Sequence, residues 1–532
     1  MNGKAINAMN KMKLIRISAK NRLWSGRKPL LTRVRRLLWA AALLLPAFAA
    51  RADVVFTNLY SFTGTNDGGN PSAGLVQGRD GYFYGTTEDG GANYSGTVFK
   101  ISTNGTLISL YSFTGTNDGA YPQAALAQGT DGYFYGTTIA GGNTNLNNYG
   151  GLSGYGTVFK INDSGTLTSL HSFAGYDGET PQSALVQGSD GNFYGTTTYG
   201  GNTSLNSGFG YGTVFKISTN GVLTKLYSFG SIQDTNGNPL DGAYPGAVLV
   251  RGADNYFYGT TSQGGTLNYD PGYGTVFKIS TNRVLQTLHV FGTVTNGSGQ
   301  FLDGVNPGSL AQGSDGSFYG TTAQFMITFP FDFVISYSTV FKISTSGVLE
   351  TLYSFSPYYT IEGFSYSPAV YLVQGSNGNL YGTIHQVPSF GSPYATSGSG
   401  SVFKLCTNGV LNTLHSFNYL QDGDGAGPNM LVQSRDGNFY GTTSSFGPGG
   451  YGTIFRLTIV PEFQTLTLTN GTLTLTWSTE AGGIYQLQSS ASLNIPNWTN
   501  LGSPATATNG TLTFTDSVTN APQRFYRVSL AP

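Results

Sequence analysis

Seven acidic residues recur at one place in a repeating pattern, each followed by glycine: Asp67, Asp118, Asp177, Asp241, Asp303, Glu362 and Asp424. A ring of carboxylates suggests calcium ligation. Such a site needs roughly six to eight oxygens, however, and one acid per repeat falls far short. A side chain that caps its own turn explains the recurrence more simply, so no metal is expected. A second ring is cationic: Lys100, Lys160, Lys216, Lys278, Lys342, Lys404 and Arg456. These residues fall near Asp-Gly turns that hold Asp80, Asp131, Asp190, Asp254, Asp315 and Asp436, and they are expected to form ion pairs that fix the hairpins. Asn377 stands at the acidic position of the sixth repeat, so Lys404 should lack this partner. His171, His289 and His415 occupy the slot of Tyr111, Tyr227 and Tyr353 and read as packing residues, while His385 reads as a loop residue. No nucleophile motif, metal-type histidine spacing or phosphate loop is present. No catalytic residue or cofactor is expected, although loop carboxylates from distant repeats could pair for glycoside cleavage.

The elements that position these residues come from a repeat. Asp190-Gly191-Asn192-Phe193-Tyr194-Gly195-Thr196-Thr197 reads as a tight turn feeding a strand, and its tyrosine returns as Tyr84, Tyr135, Tyr258, Tyr319, Tyr381 and Tyr440. A near-constant spacing marks a repeat architecture. Each unit contains four strand-like stretches, with Asn220-Gly221 a typical hairpin turn. The last unit lacks its fourth strand, whereas the stretch from Val54 to Phe62 is an unpaired fourth strand. Supplying one from the other leaves no open edge. The expected fold is all-β: a seven-bladed β-propeller of four-stranded blades over 53–460, its last blade closed by the N-terminal strand.

The recurring Leu-Val-Gln-Gly, Asp-Gly-Asn-Phe-Tyr-Gly-Thr-Thr, Gly-Thr-Val-Phe-Lys and Leu-Tyr-Ser-Phe segments resemble the GloVer tandem repeat of exported bacterial proteins. That resemblance implies a surface or secreted protein and carries no established biochemical activity. Beyond Pro461 the texture changes to alternating Thr and Leu. Residues 461–532 resemble a small fibronectin- or immunoglobulin-like β-sandwich, with Trp477 a core residue. Trp498 also reads as core, with a sugar platform as the alternative.

Residues 1–52 hold twelve Lys/Arg and no acid, and lead into an apolar run ending at Ala50-Arg51-Ala52. This pattern predicts a signal peptide cleaved after Ala52 and a secreted or cell-surface location, with no membrane-spanning segment in the mature chain. The remainder then carries 14 basic against 26 acidic residues, a net of −12. Nucleic acid is a poor partner for such a chain. A single cysteine, Cys406, leaves no internal disulfide.

Long loops rich in Gly, Asn, Ser and aromatics are expected on one face, a composition suited to recognition. Candidate ligand-binding residues are Tyr149, Tyr155, Tyr211, Tyr269 and Tyr273, together with Phe329 and Phe331 in an apolar run of the fifth repeat. The expected function is a monomeric, non-catalytic binding or adhesion module for polysaccharide or another cell-envelope ligand. The alternatives are a cell-surface protein–protein scaffold and a carbohydrate-active enzyme.

Overall fold

A computed structural model describes residues 15–18, 54–143, 145, 153–265, 272–323, 325–327, 333–355, 369–375, 378–385, 399–406, 409–418, 423–461, 463–479, 484–492, 497–508, 510–518 and 523–530. The chain divides into two compact units: Phe56–Ser434 with Phe439–Leu457, and Met1–Val55 with Arg435–Asn438 and Thr458–Pro532.

The larger unit is all-β and is built from antiparallel sheets, one per repeat among the described residues, with a further two-stranded sheet in the fifth. In the first repeat the strands are Val76–Gln77, Phe83–Thr87, Thr97–Ile101 and Leu107–Ser112, paired in that order. Five further repeats form four-stranded sheets of the same order. The seventh differs: its fourth position is taken by Val54–Ser61 from the start of the chain, beside Thr453–Ile459, and its first is split into Ala426–Pro428 and Val432–Gln433, both paired with Phe439–Ser445. Phe62 N–H donates to Gly452 O at 3.0 Å, as Phe113 N–H does to Gly96 O in the first repeat.

The Phe-Tyr-Gly-Thr-Thr strand is buried along its whole length in the first four repeats. Each of its residues has a separate task. The tyrosine ring stacks on the strand phenylalanine of the next repeat: Tyr84 on Phe134 with centroids 3.8 Å apart, Tyr135 on Phe193 at 3.9 Å, Tyr194 on Phe257 at 4.0 Å and Tyr258 on Phe318 at 4.0 Å. Tyr440 of the last repeat lies against Phe83 of the first at 4.1 Å. Glycine follows because a Cβ at Gly195 would sit 2.7 Å from Phe215. The first threonine reaches the next repeat, with Thr86 Oγ1 donating to Ala124 O at 3.1 Å and Thr442 Oγ1 donating to Ala73 O at 2.8 Å. The second bonds to the neighbouring strand, as Thr197 does with Thr213 at 2.8 Å. Buried hydroxyls thus all but replace water as one another's partners.

The lysine ring departs from expectation. Ion pairs form between Lys342 and Asp315 at 2.8 Å and between Lys216 and Asp190 at 4.0 Å. Lys100, Lys160 and Lys278 instead donate to backbone carbonyls of the following repeat, those of Asp163, Thr219 and Thr345. Their Nζ atoms also lie 5.1–5.3 Å from the rings of Tyr82, Tyr133 and Tyr256. The turn aspartates are taken by the stacked tyrosines. Asp80, Asp131, Asp190 and Asp254 accept from the hydroxyls of Tyr84, Tyr135, Tyr194 and Tyr258 at 2.7–2.8 Å. A buried phenol must find an acceptor, whereas a half-exposed ammonium has water, so the tyrosine wins the carboxylate. Lys404 lies over the Tyr381 ring at 5.8 Å, and Asn377 falls outside the described residues.

In the smaller unit, Phe463–Thr469, Thr472–Ser478 and Thr511–Ser517 form one sheet. A second contains Ile484–Ser490 and Gln523–Leu530, with Ile15–Ser18 on its edge. Leu473, Leu475 and Trp477 of the first share a core with Tyr485, Leu487, Tyr526 and Val528 of the second. Trp498 is half-buried, with the Arg527 guanidinium 4.4 Å from its ring.

Removing the Tyr194 hydroxyl as Tyr194→Phe should cost about 1–2 kcal/mol, whereas Tyr194→Ala should cost about 3–5 kcal/mol by also emptying the stack on Phe257. Urea unfolding of the two variants checks both the order and the size.

Candidate functional site

The recurring acids are absorbed by their own turns, as the sequence implies, and by one partner that it does not indicate. Asp67 accepts from Thr63 N–H at 2.9 Å and from the Tyr60 hydroxyl at 3.0 Å, and Asp118 does the same with Thr114 and Tyr111. The histidines fill the tyrosine's place in this pair. His171 Nε2 lies 2.9 Å from Asp177, His289 Nε2 3.2 Å from Asp303 and His415 Nε2 2.7 Å from Asp424. Each also packs edge-on against a buried phenylalanine, Phe173, Phe291 or Phe417. The slot therefore selects a ring that can reach a buried carboxylate. Glu362 lies outside the described residues.

Behind these turns the chain enters a wall built one repeat at a time. The residue before each proline has left-handed backbone: φ is 53° at Asn70, 57° at Tyr121, 56° at Thr180, 58° at Tyr244 and 47° at Asn306. Such a conformation costs a non-glycine residue about 1–3 kcal/mol and persists only where its surroundings enforce it. Here each of these N–H groups donates to an adjacent repeat, to the carbonyls of Tyr451, Ser95, Tyr155, Tyr211 and Tyr273 at 2.8–3.0 Å.

That strained entry delivers the next residues to a cavity of about 620 Å³, within the ~300–1,000 Å³ range of small-molecule sites. The position after the proline supplies Ser72, Gln123, Gln182, Gly246 and Asn429, and the position after the Thr-Thr pair, Thr383-Ile384 in the sixth repeat, supplies Glu88, His385 and Ser444. Tyr371 adds an aromatic wall, its ring 6.4 Å from and perpendicular to that of His385. Glu88 is oriented by Ser72 Oγ at 2.6 Å and Gln123 Nε2 at 2.8 Å. His385 is the last residue of the strand Leu380–His385, correcting its placement in a loop. Its pKa is lowered by burial, against hydrogen bonds to the Pro428 backbone and the Asn429 side chain that raise it, and its Nδ1 has no hydrogen-bond partner. Burial pushes the Tyr371 hydroxyl up. Amides, hydroxyls, one carboxylate and one imidazole thus converge on a single space. Among the described residues no group of three or more His, Cys, Asp or Glu is placed to hold a metal ion.

The tyrosines singled out as ligand-binding lie beside this wall. Tyr273 is 5% exposed and packs on Phe301 with centroids 4.7 Å apart. Tyr155 and Tyr211 are half-buried, each packed against an apolar core. All three lie beneath glycines at positive φ, and a Cβ at Gly230 would fall 2.4 Å from Tyr211. Rings so placed offer little of their faces to a ligand. Tyr149, Tyr269, Phe329 and Phe331 lie outside the described residues, and the flanking Phe325–Ile327 and Phe333–Ser336 pair antiparallel. The cavity residues escaped the sequence reading. Their signal is the slot after the proline, which changes between Ser, Gln, Gly and Asn inside an otherwise constant repeat.

The sequence profile of the Gloeobacter/Verrucomicrobia repeat matches residues 48–269 and, in a second alignment, 147–392. No curated protein matches the chain in sequence. Among solved structures, similarity extends to a gluconolactonase from Xanthomonas campestris at 12% identity and a TM-score of 0.37, over 78% of this chain and 93% of that one. A putative 6-phosphogluconolactonase from Bacteroides uniformis is also 12% identical, with a TM-score of 0.39 over 80% of this chain and 96% of the other. A luciferin-regenerating enzyme is 11% identical, with a TM-score of 0.34 over 61% and 87%. Likeness this slight carries no argument about chemistry.

The buried tyrosines give an alkaline prediction. Burial first, and then the bond to Asp67 or Asp118, pushes Tyr60 and Tyr111 up to about 12, and the stacked tyrosines are raised in the same way by burial and their turn aspartates. Folded pKa values above the ordinary 10.0 mean stability that is complete below that pH and lost as pH rises past it, because the unfolded chain ionises first. Urea midpoints should be flat from neutral pH to about 9 and fall steeply above about 10. Tyrosinate absorbance of the native protein should lag that of the unfolded chain.

Proposed function

This chain belongs to the Gloeobacter/Verrucomicrobia repeat family, and we propose that it is an exported, non-catalytic binding module that holds a carbohydrate in its repeat-built cavity. The scaffold in this reading is a closed ring of seven four-stranded blades followed by a small β-sandwich. Three contacts between the ends of the repeat array support the ring: the Val54–Ser61 strand beside Thr453–Ile459, the Tyr440–Phe83 stack, and the Thr442 bond to Ala73. Export rests on the basic and apolar start of the sequence, and places the protein in the secreted or cell-surface fraction.

One observation carries the ligand class. The cavity gathers Asn70, Gln123, Gln182, Ser183, Ser309 and Asn429 around the Tyr371 ring. Neutral donors and acceptors beside one aromatic ring match a polyhydroxylated molecule, which needs many moderate hydrogen bonds and an apolar surface for its C–H face. Tyr155, Tyr211 and Tyr273 enter this reading as supports for the wall.

A glycan array probed with the full chain and with the Gln123→Leu/Gln182→Leu variant tests the assignment. Binding should be reproducible for the unaltered protein and should fall about tenfold or more per lost amide in the variant. Hits that survive in the variant would move the site to the outer loops. A blank array with folded protein would favour a protein partner.

A further inference from the structure

The cavity is polar on every side but not balanced in charge. Glu88 is the one carboxylate in its wall, and no lysine or arginine lines it among the described residues. Both carboxylate oxygens are already oriented, yet only by neutral donors: Ser72 Oγ on Oε2 and Gln123 Nε2 on Oε1. An ionised carboxylate offers about four acceptor positions, so roughly two stay open for a further donor. The recurring acids show the contrast. Asp67 and Asp118 are closed in by backbone N–H, threonine and tyrosine donors of their own turns, away from the cavity. Asp315 has its lysine at 2.8 Å: burial raises its pKa, but the hydrogen bonds from Lys342, Ser317 and Tyr319 outweigh that and hold it down at about 2.

A fixed carboxylate without a cation, in the wall of a cavity and in a chain of net −12 beyond residue 52, concentrates negative potential there. The same cavity is lined by Gln182 and Ser309, which suit hydroxyls, and by Gly246, which carries no side chain. We infer that the cavity selects an amine-bearing polyhydroxylated ligand, an amino sugar with a free ammonium group, with Glu88 receiving the ammonium. This rests on the reading of the cavity as a carbohydrate site and names the sugar class within it. Ser72 and Gln123 then act as positioning residues that aim the carboxylate.

Calorimetric titration of the full chain with glucosamine, N-acetylglucosamine and glucose tests the inference, in parallel with Glu88→Gln, which keeps an oxygen for Ser72 or Gln123 to bond. Glucosamine should bind at least about tenfold more tightly than either neutral sugar. That advantage should shrink with added salt and disappear in Glu88→Gln. Equal binding of all three sugars would overturn the ammonium assignment and leave the carbohydrate site standing. An advantage that survives in Glu88→Gln would place the ammonium elsewhere and overturn it too. Binding of none of the three would sink the carbohydrate site, and this inference with it. Should Glu88→Gln fail to fold, the salt series on the unaltered protein decides: an advantage indifferent to salt overturns the proposal.

Discussion

One contact between neighbouring repeats supports most of what has been described: a buried tyrosine lying flat on the phenylalanine of the next sheet, with its hydroxyl held by an aspartate of its own turn. The ring supplies apolar area and a stacked contact with the next repeat. The hydroxyl then fixes how far the ring slides, because a buried phenol without an acceptor would cost about 1–3 kcal/mol. Glycine must follow, since a side chain there would meet a phenylalanine ring, and threonines must come next to satisfy carbonyls across the gap. The repeated Phe-Tyr-Gly-Thr-Thr is thus a set of mutually dependent solutions to packing one polar-edged sheet against another. The sixth repeat shows the dependence by exception. Leu380 replaces the phenylalanine, and Thr383 is left with a buried, unpartnered hydroxyl.

The repeat itself was legible because its spacing and turn residues are local properties of the chain. So was the offset of the strand near Val54, since a missing fourth strand and a spare one can both be counted. The partners of the tyrosines were not legible. Periodicity reveals which residues are equivalent but not which side chains touch, and Phe134 is no neighbour of Tyr84 in sequence. The lysine–aspartate pairing, present at Lys216 and Lys342, gave way at Lys100, Lys160 and Lys278 for a related reason. The ladder places Lys100 directly beside Tyr84, so both compete for Asp80, and burial decides in favour of the phenol. Sequence order alone carries no burial.

The cavity was missed through a different gap. Residues such as Gln123 and Gln182 follow a proline in a stretch that otherwise repeats, and their variation reads as tolerance when the outer loops vary far more. Five repeats force a non-glycine residue into left-handed backbone where the chain enters the cavity wall, while Tyr155, Tyr211 and Tyr273 pack beside it. Strain maintained in five repeats marks a place where chain direction matters more than comfort.

The strand order of the seventh repeat has a consequence for how the molecule is made. Thr442 and Ala73 are bonded although 369 residues separate them, and Val54–Ser61 joins a sheet whose other strands are the last of the array. The entropic charge for closing so long a span grows only logarithmically, so the finished state loses little by it. The rate is another matter, because contacts of such separation form late. Throughout synthesis the first repeat has no neighbour on one side, and its Phe83 and the unpaired strand Val54–Ser61 stay open to wrong partners. Completion is therefore an event of the whole chain: the last repeat to be made is the one that shields the first.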